Sequence, residues 1–75
     1  MLKIPDFTRP EIEYIKENAN FTEQENSLFD LRNGENSLEN CAEEMNISLS
    51  TVKRINKRMK SKIIRILWWH FFDTF

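Results

Sequence analysis

Residues 37–62 read SLENCAEEMNISLSTVKRINKRMKSK, and the placing of small, apolar and capping residues along this run decides the fold. Ser37 is of the type whose hydroxyl accepts from a free first-turn amide, and Glu39 suits the positive end of a helix dipole. Leu38, Cys41, Ala42 and Met45 then recur at i, i+3, i+4 and i+7, which is one helical face. Asn46 is an exit residue, since Asn enters the left-handed region more readily than most side chains. Ile47 is placed to tuck into the core from the turn. Ser48 caps a second, longer helix with apolar residues at Val52, Ile55, Met59, Ile63 and Ile66. Ala42 is small, as a close helix crossing demands. This pattern predicts a helix-turn-helix over residues 37–62.

Working outward, two further helix starts are legible. Thr8-Arg9-Pro10-Glu11 reads as a capping box, with Pro10 tolerated in the first turn, where amides are unpaired anyway. Ile12, Ile15 and Ala19 share a face, so the first helix is expected to run to about residue 18. Thr22-Glu23-Gln24-Glu25 is a second capping box, followed by Leu28, Phe29 and Leu31 as core contacts. Asn33-Gly34 is expected to end that helix, with Gly34 taking the left-handed conformation. One Gly and two Pro in 75 residues, with little strand-type alternation, give an all-α, four-helix domain.

A chain of this length forms one domain at most, residues 1–75, and has little room for an enclosed pocket. Cys41 is the only cysteine, which excludes an internal disulfide and fits a reducing, cytoplasmic setting. With His70 as the only histidine, a zinc site lacks ligands, and neither a metal nor a cofactor is expected. No leader-like segment opens the chain. The apolar run Ile66-Leu67-Trp68-Trp69 falls far short of the roughly 20 residues of a membrane span.

The net charge of −1 conceals a strong dipole. Residues 1–46 hold four bases and eleven acids, a net −7, whereas residues 47–75 hold seven bases and one acid, a net +6. Concentrating the positive charge on one element is what phosphate binding requires. On the side of the last helix that the core does not use lie Ser50, Lys53, Arg54, Lys57, Arg58, Ser61 and Lys62. No acid interrupts residues 48–72. The major groove admits a helix whose early residues reach base edges, and Arg54 is suited to bidentate pairing with guanine. Lys57, Arg58 and Lys60 suit phosphate contacts, while Ser50 and Thr51 lie at the helix start, where an anion is favoured.

The run Phe21-Thr22-Glu23-Gln24-Glu25, Leu31-Arg32, Ser37, Cys41-Ala42-Glu43-Glu44-Met45-Asn46-Ile47-Ser48 and Thr51-Val52-Lys53-Arg54 resembles region 4 of bacterial sigma factors and the related LuxR-type output domain. The resemblance covers about residues 21–64 and is most specific from Ala42 to Arg54. It implies transcriptional regulation through double-stranded DNA, with Ser50, Thr51, Lys53, Arg54 and Lys57 facing the duplex. Small stand-alone versions resemble regulators carried by phages and mobile elements of low-GC bacteria. Asn56 stands where many LuxR-type members carry His, which alters one possible groove contact. Nothing matches the other sigma regions, and no receiver domain precedes the resemblance.

Other features read as structural. Cys41 falls on the buried stripe beside Ala42, as an inert core thiol would. His70 has no nucleophile or carboxylate patterned around it, and Glu43-Glu44 and Glu11/Glu13/Glu17 spread over exposed turns. No enzyme is indicated. The aromatic tail, residues 66–75, admits three readings: folding back over the first helix, a homodimer seam through Trp68, Trp69, Phe71 and Phe72, or contact with RNA polymerase, another partner or a membrane surface. The rival to DNA binding is a protein-interaction module that meets RNA polymerase or a sigma factor through the acidic half or this tail.

Overall fold

A computed structural model of the chain describes residues 7–73, with side chains described through Trp68. Among these residues there are four helices and no strand: α1 (Arg9–Asn18), α2 (Glu23–Asn33), α3 (Leu38–Met45) and α4 (Leu49–Asp73). None of them is long and apolar enough to cross a membrane.

Each start is fixed by a side chain that the sequence places there. The Thr8 amide donates to Glu11 Oε1 at 2.8 Å while the Glu11 amide donates to Thr8 Oγ1 at 3.4 Å. The same reciprocal pair recurs between Thr22 and Glu25, at 2.8 and 3.2 Å. Ser37 accepts from the Asn40 amide at 3.1 Å, and Ser48 accepts from the Thr51 amide at 3.2 Å. In each case a hydroxyl or carboxylate satisfies amides that have no intrahelical partner.

The ends use left-handed residues. Asn46 closes α3 at φ 57° and ψ 45°. The Ile47 amide then donates to the Ala42 carbonyl at 3.1 Å, and the Asn46 amide to the Glu43 carbonyl at 3.2 Å. These are the paired bonds of a Schellman motif. The end of α2 corrects the sequence expectation. Gly34 has φ −82°, and the left-handed residue is Glu35, at φ 63°. Here the Glu35 amide donates to Arg32 and the Asn36 amide to Leu31. The motif therefore turns one residue later than glycine suggests, because Gly34 still completes the helical turn through bonds to Asp30 and Leu31.

The core gathers one stripe from each helix. Ile15 and Ala19, Leu28 and Phe29, Cys41 and Ala42, and Val52, Ile55, Met59, Ile63 and Ile66 are all buried. Ile12, Leu31, Leu38, Met45 and Ile47 are only partly buried and pack around that centre. Phe21 packs its ring against Phe29, with centroids 5.4 Å apart. Fully burying a side chain such as Phe29 or Ile63 contributes about 1.5–3 kcal/mol, so this stripe is the main source of stability.

Helix α4 is the spine: it packs against α1, α2 and α3. It runs unbroken through Asp73, so residues 66–73 continue the helix rather than forming a separate tail. Ile66 and Leu67 join the core, whereas Trp68 is exposed. The side chains of Trp69, His70, Phe71 and Phe72, invoked for the dimer seam, lie outside the described residues, as does Phe75.

Candidate nucleic-acid interface

Helix α4 starts immediately after a three-residue turn, Asn46-Ile47-Ser48, that the left-handed Asn46 makes abrupt. Val52, Ile55, Met59 and Ile63 face inward. Because successive residues turn about 100° round the axis, the opposite side is fixed as well. Ser50, Arg54, Lys57 and Ser61 form the centre of the outward stripe, and all four are exposed. Lys53 lies along one edge of it and Arg58 along the other, both exposed, while Lys60 is half-buried beside Lys53.

Thr51 lies at the helix start and is less exposed than Ser50. It is half-buried, and its Oγ1 lies 2.8 Å from Ser48 Oγ, which also lies 3.1 Å from Ser50 Oγ. The three hydroxyls make a small cluster at the start of the helix, with Ser50 on its exposed side. Lys62 leaves the outward stripe entirely. Its Nζ donates to Glu25 Oε1 at 2.5 Å and to the Asn20 carbonyl at 3.0 Å, so its charge is paired against the start of α2. Asn56 turns away too: it is half-buried, and its Oδ1 is enclosed without a hydrogen-bond partner among the described residues.

The ion pairs among the described residues are Lys16–Asp30 and Lys62–Glu25. Lys53, Arg54, Lys57, Arg58, Lys60 and Arg65 therefore have no carboxylate at ion-pair distance among those residues. Such a face offers guanidinium and ammonium donors and one exposed hydroxyl at each of Ser50 and Ser61, which suits phosphate oxygens and base-edge acceptors. It offers no nucleophile with an adjacent base. No grouping of His, Cys, Asp and Glu among the described residues could hold a metal ion. Cys41 is fully buried, and burial pushes its thiol up, against the opposing pull of the Arg32 charge.

Two groups at this surface were not singled out by the sequence. Arg65 and Thr22 join Lys57, Arg58 and Ser61 around an open groove between α4 and the start of α2. The spacing of 57, 61 and 65 already places these positions on one stripe; that α2 forms the facing wall is tertiary information. A second open groove, between α2 and α3, is lined by Glu23, Asp30 and Glu44 together with Leu31 and Met45.

The chain matches no family profile, no curated protein and no solved structure.

Proposed function

We propose that this chain is a sequence-specific double-stranded DNA-binding protein that regulates transcription, with α3 and α4 acting as a helix-turn-helix and α4 as the recognition helix. The observation that carries this reading is the outward stripe at the start of α4, where Ser50, Lys53, Arg54, Lys57 and Arg58 are exposed without an acid among them. The turn at Asn46 and the packing of Val52 and Ile55 against the core hold this stripe away from the body. Arg54 is the group for bidentate base pairing, while Lys57, Arg58 and Lys60 meet phosphates and fix register. The cluster at Ser48, Ser50 and Thr51 presents the helix start to a phosphate.

The direct test is fluorescence anisotropy against a randomised duplex pool. The expected result is selective enrichment, with affinity falling steeply between about 50 and 200 mM salt as counterions are released. Tight binding without salt dependence contradicts the mechanism.

The groove between α2 and α3 favours a second reading, a protein-interaction module for RNA polymerase or a sigma factor. Its carboxylates at Glu23 and Glu44 beside Leu31 and Met45 suit a basic, partly apolar segment of another protein. Retained regulation in Lys53→Ala/Arg54→Ala, with regulation lost in Glu23→Lys/Glu44→Lys or on deleting residues 68–75, supports this alternative over DNA reading. A homodimer through Trp68 and its neighbours fits the first reading, since paired helices read half-sites one helical turn apart.

A further inference from the structure

The cationic face of α4 extends past the part that base reading uses. Lys57, Arg58, Ser61 and Arg65 line one wall of an open groove of about 460 Å³, and the start of α2 at Thr22 forms the other. Glu25 and Lys62 also line it, but they cancel one another as an ion pair. The charge of the groove therefore comes from Lys57, Arg58 and Arg65, none of which is ion-paired among the described residues.

Distance along the axis decides what this groove meets. At about 1.5 Å per residue, Arg65 lies about 16 Å beyond Arg54. The major groove is only about 12 Å wide. A helix that enters it by its first turns, with Arg54 at the base edges, carries Arg65 past the groove wall and over the sugar-phosphate strand. A guanidinium fork and a serine hydroxyl one turn apart suit the two free oxygens of a phosphodiester.

We infer that the groove between the start of α2 and residues 57–65 of α4 seats a backbone phosphate of the same duplex, contacted by Arg65 and Ser61. This rests on the duplex reading proposed above. It assigns these two groups to positioning, with no part in choosing sequence.

The test compares wild type, Arg65→Ala and Arg54→Ala on the duplex enriched from the pool and on an unrelated duplex. Arg65 is exposed, so the variant keeps its helicity, which circular dichroism checks. One phosphate contact accounts for about 3.5-fold of the affinity lost over a fourfold rise in salt. The expected result for Arg65→Ala is a salt slope shallower by about 1, with both duplexes weakened by the same factor. Arg54→Ala instead narrows the ratio between the two duplexes. An unchanged slope in Arg65→Ala, or a narrowed ratio like that of Arg54→Ala, overturns the phosphate assignment and leaves duplex reading standing. Failure of the wild type to bind any duplex overturns duplex reading and the groove assignment with it.

Discussion

Lys62 Nζ lies 2.5 Å from Glu25 Oε1, and through its second bond to the Asn20 carbonyl it ties α4 both to α2 and to the turn between α1 and α2. The Glu25 side chain is 3% exposed and that of Lys62 30%, so the desolvation cost falls mainly on the carboxylate. The same carboxylate closes the α2 capping box. One side chain thus holds a helix start and the long helix in a fixed relation.

Removing the ammonium should therefore leave a buried charge without its partner. Lys62→Met is expected to cost about 1–3 kcal/mol at neutral pH, less than for a wholly buried pair. Urea unfolding measures this. Glu25→Gln on the Lys62→Met background should restore part of the loss, because the neutral amide needs no countercharge.

The pair also sets an acid response. Burial pushes the Glu25 carboxyl up, but the Lys62 hydrogen bond, the Thr22 backbone amide and the Lys62 charge outweigh it and hold it below the ordinary 4.5. Since the folded value is the lower one, the ionised carboxylate favours folding above about pH 4.5, and that contribution is lost as pH falls through the folded value. The stability gap between wild type and Lys62→Met should accordingly shrink on acidification. A gap that stays constant from neutral pH to about pH 3 contradicts the assignment.

Glu35 occupies a left-handed conformation that costs a side chain with a Cβ about 1 kcal/mol. Glu35→Gly is expected to stabilise the fold by about that amount, raising the melting midpoint by roughly 4–8 °C. Gly34→Ala should bring no such gain. The added Cβ would meet Asn36 Nδ2 at 3.3 Å and the Leu31 carbonyl at 3.4 Å, crowding the Asn36–Leu31 hydrogen bond. A Gly34→Ala destabilised by about 1 kcal/mol or more beside a Glu35→Gly that brings no gain would put the left-handed residue at position 34 and contradict this turn.

Cys41 is fully enclosed, and burial keeps its thiol above the ordinary 9.0 despite the nearby Arg32 charge. Alkylation at pH 8 should be more than about 100-fold slower in the native protein than in urea, because it requires transient opening. Rapid labelling of the native protein would show that α3 is not packed as described.

Most of the architecture was legible because it is local. Thr8, Thr22, Ser37 and Ser48 announce helix starts by short-range hydrogen bonding, and Asn46 announces a turn by its backbone preference. The apolar spacing from Val52 to Ile66 fixed the inward side of α4 and hence its outward stripe. What the sequence could not supply depended on contacts between helices. Lys62 reads as one more exposed base until Glu25, distant in sequence, is brought beside it. The hydroxyl cluster that Thr51 makes with Ser48 and Ser50 was not legible in the sequence either. Gly34 misleads because composition favours glycine at a left-handed position, while the hydrogen bonds at Arg32 and Leu31 place that position at Glu35.

The central claim is that the start of α4 reads duplex DNA, and one comparison tests it most directly. Wild type and Lys53→Ala/Arg54→Ala are titrated by anisotropy against the duplex enriched from the randomised pool, at about 50 and 200 mM salt. The expected result is selective, salt-sensitive binding by the wild type that the double variant loses while keeping its helical fold. Binding that survives the double substitution unchanged, or a folded wild type that binds no duplex at the lower salt, contradicts the claim and turns attention to the acidic groove between α2 and α3.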